Sequence, residues 1–121
     1  MFELQNVVVK NILTIDYLKI NEGEITCIIG RSGGGKTTFL KLLNNMISKD
    51  EGEIRYKNRK IESYDPVQLR REVLMMVQNP VIFSKTIRDN FVKTLEYNNQ
   101  AEFSDQKYLR ILKKMGLKEK N

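Results

Sequence analysis

Residues 25–40 constrain the fold of this chain more than any other segment. The β-branched run Ile-Thr-Cys-Ile-Ile leads into Gly-Arg-Ser-Gly-Gly-Gly-Lys-Thr-Thr, and apolar residues at helical spacing follow at once. Residues 30–37 match the pattern G-x-x-x-x-G-K-[ST] at every fixed position, between the strand and helix signals that this pattern requires. The segment predicts a strand, a phosphate-binding loop and a helix in direct succession.

The residue types of this loop suit the binding of phosphate groups. Glycines let the backbone turn successive N–H groups inward, and the start of the following helix directs its positive dipole end at the same anion. We expect Lys36 to reach the β- and γ-phosphates of a nucleotide and the Thr37 hydroxyl to ligate Mg²⁺. A glycine-rich turn without a ligand is the alternative, and four glycines before Lys-Thr argue against it. The predicted binding residues are Gly30, Arg31, Ser32, Gly33, Gly34, Gly35, Lys36, Thr37 and Thr38.

Length and composition exclude several other kinds of site. The chain has 121 residues, which suits one domain or part of a larger one. Its single cysteine, Cys27, excludes an internal disulfide, and we expect this thiol to be buried in the apolar strand. Without histidine or paired cysteines, the sequence offers neither a histidine switch nor a zinc-type cluster. No apolar run approaches the ~20 residues of a membrane span, so any membrane association is expected through a partner.

The charge balance is moderately basic. Lys and Arg number 21 against 15 Asp and Glu, a net charge of +6, with the excess concentrated in residues 55–60 and 107–120. A nucleic-acid surface would explain such clusters, but no nucleic-acid motif accompanies them. Solvated faces are therefore the favoured interpretation, and nucleic acid is not an expected partner.

Apolar patterning and turn residues predict the remaining elements. Strands are expected at residues 2–9, 12–20, 25–29, 54–56 and 73–77, and helices at residues 36–47 and 104–115. A short helix is expected to begin at Pro66 and to end before the strand that starts at Val73. Asp65 before Pro66 is a helix-start signal, and Thr86 with Asp89 forms a capping-box pattern for a further helix. Gly116 follows the last helix as its predicted C-cap residue. The apolar face of that helix is expected to consist of Tyr108, Leu109, Ile111, Leu112 and Met115.

The order of these motifs resembles that of an ATP-binding cassette (ABC) ATPase. The resemblance rests on Leu-x-Asn-Val near residue 4, two Gly-Glu-Ile triplets, the phosphate loop, Tyr-Asp-Pro at residue 64, Leu-Arg-Arg at residue 69 and Val-Gln-Asn-Pro at residue 77. It covers essentially the whole chain but only about the first half of a cassette domain. It implies an α/β P-loop NTPase fold with an incomplete core and an N-terminal antiparallel β subdomain. Residues 1–80 would form the β subdomain and loop core, and residues 81–121 the start of a helical subdomain.

The resemblance also implies roles for particular residues. Gln78 would act with Lys36 in catalysis and with Thr37 at the Mg²⁺ of bound ATP, whereas a polar residue closing a strand before proline is the alternative. Residues 81–90, from Val81 to Asn90, would dock on a transmembrane permease subunit, unless they are an ordinary exposed connection. A second ATPase subunit, identical or different, would complete the assembly at the cytoplasmic face of the membrane.

Several parts of a complete cassette are absent from this sequence. It lacks a Leu-Ser-Gly-Gly-Gln signature, an Asp-Glu after an apolar run and the switch histidine, so we expect the chain alone to bind nucleotide with negligible hydrolysis. Residues 9–11 lack the aromatic that the family stacks on adenine, and Tyr17 is expected to pack within its strand. Without neighbouring core strands, residues 25–29 and 73–77 would have exposed edges, which predicts self-association or rearranged pairing.

Transport is the favoured function, and two alternatives stay open at this stage. One is an ABC-type ATPase without a membrane partner. The other is a non-catalytic nucleotide-binding protein.

Overall fold

The computed structural model describes residues 1–83 and 86–117. These residues belong to two compact units, Met1–Met76 and Val77–Asn121. Ser84 and Lys85 of the predicted docking segment, and residues 118–120 of the second basic cluster, lie outside the described residues.

The first unit contains an antiparallel sheet of four strands. They are β1 (Phe2–Val9), β2 (Leu13–Ile20), β3 (Glu51–Tyr56) and β4 (Arg59–Lys60), in the spatial order β2-β1-β3-β4. Phe2 lies opposite both Ile20 and Tyr56, so β1 is paired on both sides. The predicted antiparallel β subdomain is therefore confirmed. Lys57 and Asn58, both of which have positive φ angles, form the turn between β3 and β4.

A bulge interrupts the pairing of β1 with β3. The register shifts between Gln5 and Val8, and Asn6 has a φ of 48°. Opposite the bulge, Gly52 has a φ of 86°, and a Cβ atom there would lie 2.2 Å from the Asn6 carbonyl oxygen. Only glycine allows this approach of the two backbones. The N–H of Asp50 then donates to the Val8 carbonyl at 2.8 Å, which continues the contact past the bulge.

The described residues include four α-helices, and the two predicted start signals, at Asp65 and Thr86, are confirmed. They are α1 (Lys36–Leu43), α2 (Pro66–Glu72), α3 (Ile87–Tyr97) and α4 (Asp105–Lys114). The Asp65 carboxylate accepts from the N–H groups of Val67 and Gln68, and Thr86 forms both halves of a capping box with Asp89. Helix α1 ends earlier than residue 47 because Asn45 adopts a positive φ of 52° and Met46 N–H donates back to the Lys41 carbonyl.

The core of the first unit joins helix α1 to one face of the sheet. Its fully buried side chains are Leu4, Val7, Leu42, Ile54 and Leu69. Leu42 comes from α1 and Leu69 from α2, whereas the others come from β1 and β3. Because burial of apolar side chains is the main stabilising term, this packing fixes the start of α1 relative to the sheet.

Two predicted strands do not form. Residues 25–29 and 73–77 have no regular secondary structure and join neither each other nor the sheet. A strand exists only through hydrogen bonds to a neighbour, and no described segment supplies one for either run. Most of their apolar side chains consequently face solvent: Ile25 is fully exposed and Met76 is 94% exposed, whereas Val73 is half-buried against the core.

Two further predictions about single side chains were wrong for related reasons. Cys27 is exposed, because the strand that was expected to bury it is absent. Tyr17 is 59% exposed because it lies on the face of β2 that is turned away from the core. Strand propensity alone did not distinguish these environments.

In the second unit, helices α3 and α4 meet through aromatic rings. Tyr108 is buried, and its ring centroid lies 5.2 Å from that of Phe91 and 5.8 Å from that of Phe103. Arg88 on α3 forms ion pairs with both Glu102 and Asp105. Only part of the predicted apolar face of α4 is buried in this unit.

The other predicted members of that face differ in exposure. Ile111 and Leu112 are half-buried, whereas Leu109 and Met115 are exposed. Gly116 has a φ of 77°, as expected for a C-cap glycine.

Candidate functional site

Helix α1 presents its first turn at the end of the glycine-rich loop. Gly35 is the N-cap residue, with a left-handed φ of 80°, and Phe39 N–H donates to its carbonyl at 2.8 Å. Because the other end of the helix is held by buried Leu42 and Leu43, Lys36, Thr37 and Thr38 are placed at a defined point beside the loop. The predicted succession of loop and helix is thus observed, although the preceding strand is not.

The loop encloses a solvent-accessible concavity of about 470 Å³. Its wall consists of residues 32–38 together with Ile12 from the turn between β1 and β2. The structure therefore brings together most of the predicted binding residues around one space. Gly30 and Arg31 do not line this space, but their carbonyl groups accept hydrogen bonds from the Lys36 ammonium.

The Lys36 side chain folds back across the loop. Its ammonium donates hydrogen bonds to the carbonyl of Gly30 at 2.8 Å and to that of Arg31 at 2.5 Å. Arg31 also accepts from the Gly34 N–H at 3.1 Å, which closes the turn. The cation makes no ion pair with a carboxylate among residues 1–83 and 86–117. A full positive charge is therefore held at the loop without an anionic partner.

The glycines of the loop are required by its backbone. Gly33 and Gly35 both have positive φ angles. A Cβ atom at Gly34 would lie 3.1 Å from the Arg31 carbonyl oxygen, and one at Gly35 would lie 3.3 Å from the Ile12 carbonyl oxygen. A side chain at one of these positions would either strain the backbone or occupy space that a ligand needs.

The electrostatics of this concavity favour an anion. The N–H groups of Lys36, Thr37 and Thr38 have no acceptor within α1, because they belong to its first turn. They add to the positive end of the helix dipole and to the Lys36 ammonium, and nearby donors of this kind bind phosphate oxygens well. The arrangement can hold a polyphosphate.

A divalent cation would find one protein oxygen donor at the predicted position. Thr37 is exposed in the first turn of α1, so its hydroxyl is accessible. The described residues contain no group of three or more carboxylate, thiol or imidazole side chains that could hold a metal by themselves. This donor set suits Mg²⁺, which is bound through few protein ligands together with substrate phosphates and water.

Ile12 is a lining residue that the sequence interpretation missed. It follows Asn11, which lies in the turn between the first two strands and has a φ of 62°. The Ile12 N–H donates to the Val9 carbonyl at 3.0 Å. The predicted strand bounds imply a short connection here, but the sequence gives no signal that its tip lies against the glycine loop. Only the packing of α1 on the sheet establishes that contact.

Gln78 and the predicted docking segment lie in the second unit. Gln78 is exposed at a bend just before Asn79 and Pro80, and Val81, Ile82 and Phe83 are exposed too. Phe83 stacks on Tyr97 with ring centroids 5.8 Å apart, and its N–H donates to the Asn90 side chain at 2.9 Å. The beginning of this segment is thus tied to helix α3 while its apolar side chains remain accessible.

Within residues 1–83 and 86–117, none of the helices combines the length and apolar character needed to cross a bilayer.

Comparison with known proteins gives a consistent result. The sequence profile described as "ABC transporter" matches residues 13–121. The methionine import ATP-binding protein of Clostridium tetani is 35% identical over 108 residues, which cover 85% of this chain and 34% of that protein. The phosphate import ATP-binding protein of Campylobacter jejuni is 33% identical over 106 residues, 83% of this chain and 43% of that protein.

A relative from an exporter is similar to the same degree. The export ATP-binding/permease protein named as putative in Rickettsia typhi is 36% identical over 102 residues, which cover 84% of this chain and 17% of that protein. The chain therefore spans less than half the length of each of these three relatives.

Proposed function

Because this chain belongs to the ABC transporter family, we propose that it is the ATP-binding part of a membrane transporter. The observation that carries the proposal is the loop at residues 30–37, where the unpaired Lys36 ammonium and the first turn of α1 face one concavity. Import and export proteins both appear among the relatives, so the direction of transport is left open.

We assign the triphosphate of ATP to this loop. The backbone N–H groups of residues 32–38 would surround the phosphates, and Lys36 would turn from the Gly30 and Arg31 carbonyls towards their oxygens. The Thr37 hydroxyl would ligate Mg²⁺, which in turn would neutralise charge on the phosphates. Thr38 and Ser32 add hydroxyl donors at the edge of the concavity. Ile12 offers an apolar surface to the remainder of the nucleotide, in place of an aromatic ring.

Gln78 is proposed as the residue that completes the Mg²⁺ and water geometry at the γ-phosphate. Its accessibility and its place before Pro80 leave the amide available for this role. It lies in the second unit, directly before the proposed docking segment. A residue in that position would report the state of the nucleotide to a partner.

The proposed partners follow from the family and from exposed surface. Residues 81–90 would contact a transmembrane permease subunit, and Val81, Ile82 and Phe83 provide apolar area for that contact. A second ATP-binding subunit, identical or different, would complete the assembly. This would place the chain at the cytoplasmic face of a membrane, with residues 1–80 as β subdomain and loop core and residues 81–121 as the start of a helical subdomain.

The 121-residue chain by itself is proposed to bind ATP without appreciable hydrolysis. The loop can stabilise negative charge on the phosphates, but the sequence offers no carboxylate after an apolar strand to orient an attacking water. An ABC-type ATPase without a membrane partner and a non-catalytic nucleotide-binding protein remain the alternatives, and the exposed apolar start of residues 81–90 favours the transporter.

Calorimetric titration of the purified chain with ATP tests the proposal. We expect binding that strengthens with Mg²⁺, weaker binding of ADP and little binding of AMP, because the loop recognises the β- and γ-phosphates. Equal affinity for AMP and ATP, or affinity unchanged by Mg²⁺, would contradict the assignment. Co-purification with a permease encoded beside this chain would then distinguish a transporter from the alternatives.

A further inference from the structure

Four cations line one side of helix α4. They are Lys107, Arg110, Lys113 and Lys114. All four are exposed, and their spacings of three and four residues put them on neighbouring turns of one face. The other side of the helix carries Tyr108, which is buried against Phe91 and Phe103. The basic face is therefore held outward by the packing of the opposite face.

The carboxylates of the same unit are engaged elsewhere. The acidic residues between positions 77 and 117 are Asp89, Glu96, Glu102 and Asp105. Asp89 caps α3, and Glu96 pairs with Lys93. Arg88 pairs with the other two carboxylates, at 3.7 and 3.3 Å. Across the described part of the chain, no carboxylate forms an ion pair with the four cations of α4. The Lys107 ammonium lies 3.3 Å from the centre of the Phe103 ring.

Exposed aliphatic side chains border the basic face. Leu109 and Leu117 lie four residues before and after Lys113 and are 44% and 53% exposed. Leu117 is folded back onto the helix end, where its N–H donates to the Leu112 carbonyl. Cations flanked by exposed aliphatic groups characterise helices that lie in the interface of a bilayer.

We propose that the basic face of α4 binds the surface of a lipid bilayer that contains anionic headgroups. Phosphate and carboxylate headgroups complement the four cations, which have no carboxylate partner among the described residues, while Leu109 and Leu117 enter the boundary between headgroups and acyl chains. Nucleic acid is less well matched, because aliphatic side chains add little to phosphate binding. The aromatic rings near α4 stack on one another instead of facing bases. The proposal does not depend on ATP binding.

Vesicle sedimentation with the purified chain tests this surface. We expect binding to phosphatidylcholine vesicles that contain phosphatidylglycerol, no binding to pure phosphatidylcholine, and weakening with added salt. Each Lys or Arg near an anionic surface strengthens binding about fivefold, so the double variant Arg110→Glu, Lys114→Glu should bind at least about tenfold more weakly. Lys10→Glu, Lys19→Glu, which changes the net charge equally in the first unit, should retain binding.

Further variants in the same experiment show which side chains cause vesicle binding. Arg110→Lys should bind vesicles normally, and Leu109→Ser, Leu117→Ser should weaken vesicle binding while leaving the circular dichroism spectrum unchanged. Lys36→Ala should leave vesicle binding intact, so that failure of the ATP site and failure of this surface are measured separately. Equal loss in both charge-reversal variants, or binding to neutral vesicles, would overturn the proposal. Tighter binding of a single-stranded oligonucleotide than of anionic vesicles at the same salt concentration would overturn it too.

Discussion

The Lys36 ammonium lies 2.8 Å from the Gly30 carbonyl oxygen and donates a hydrogen bond to it. This contact joins the two ends of the glycine-rich loop and holds the cation beside the unpaired N–H groups of α1. Both groups are exposed, so the contact is worth little to folding. We propose that it keeps a positive charge where a phosphate would displace the two carbonyl groups.

The first prediction is therefore that replacing Lys36 affects ATP binding but not the stability of the fold. Lys36→Ala should weaken ATP binding about ten- to a hundredfold, since hydrogen bonds to charged groups contribute about 1.5–3 kcal/mol. The urea midpoint should change little. Lys41→Ala, on the last turn of the same helix, is the matched control and should bind ATP normally. A Lys36→Ala protein with unchanged affinity would contradict the proposed site.

The second prediction concerns the backbone of the loop. Gly35→Ala and Gly23→Ala introduce a methyl group at nearly the same φ, 80° and 77°, but only the Gly35 methyl meets neighbours, at 3.3 Å. Both should lose about 1–2 kcal/mol from left-handed strain. Only Gly35→Ala should also reduce ATP affinity, as measured by calorimetry. Equal affinities in the two variants would argue against close contact of this loop with the ligand.

The third prediction tests the bulge between β1 and β3. Gly52→Ala should destabilise the first unit by about 3 kcal/mol or more, because strain at positive φ is combined with a severe clash against the Asn6 carbonyl. Gly116→Ala has a φ of 77° with open space around it and should cost only the strain. Denaturant unfolding of both variants measures the difference, and similar losses would show that the two backbones separate easily.

The fourth prediction is a pH dependence. The Lys57 ammonium donates a hydrogen bond to Glu72 at 2.8 Å and holds the pKa of that carboxyl below its ordinary value. A lowered pKa in the folded state contributes stability above the ordinary carboxyl pKa, and this contribution is lost as the pH falls through the lowered value. Glu72→Gln should therefore be less stable than the wild type at neutral pH.

The difference in stability should disappear at acidic pH, well below the ordinary carboxyl pKa of about 4.3, and shrink in high salt. Glu51→Gln is the control, because Glu51 makes no ion pair within the described parts of the chain. Chemical unfolding at several pH values measures both variants. A Glu72→Gln effect that persists at acidic pH would have another cause.

The fifth prediction concerns the two apolar runs that face solvent. Residues 25–29 and 73–77 combine strand propensity with low charge, so we expect copies of the chain to associate through them. Ile25→Lys, Ile29→Lys should shift the sedimentation profile towards monomer. Tyr17→Lys, Val67→Lys also replaces two exposed apolar side chains but should leave association unchanged. A wild-type chain that sediments only as monomer would contradict this prediction.

Much of the local structure could be predicted because its causes are local. Asp65 and Thr86 satisfy the free N–H groups of the next turn with their own side chains, so helices α2 and α3 begin where these residues stand. Asn58 follows Lys57 in a turn that needs two positive φ angles, which joins β3 to β4. The glycines at positions 30 and 33–35, followed by Lys36 and Thr37, predicted in the same way a tight loop that leads directly into α1.

The tertiary structure decided what depends on neighbours. Residues 25–29 have the composition of a buried strand, yet they remain unpaired because strand formation needs a partner that local sequence cannot supply. Cys27 and Ile25 are exposed for the same reason. Conversely, the packing of α1 on the sheet brought Ile12 to the glycine loop, a contact between segments that no motif links. Short-range hydrogen bonding and backbone sterics are written in consecutive residues, whereas burial and strand pairing depend on segments distant in sequence.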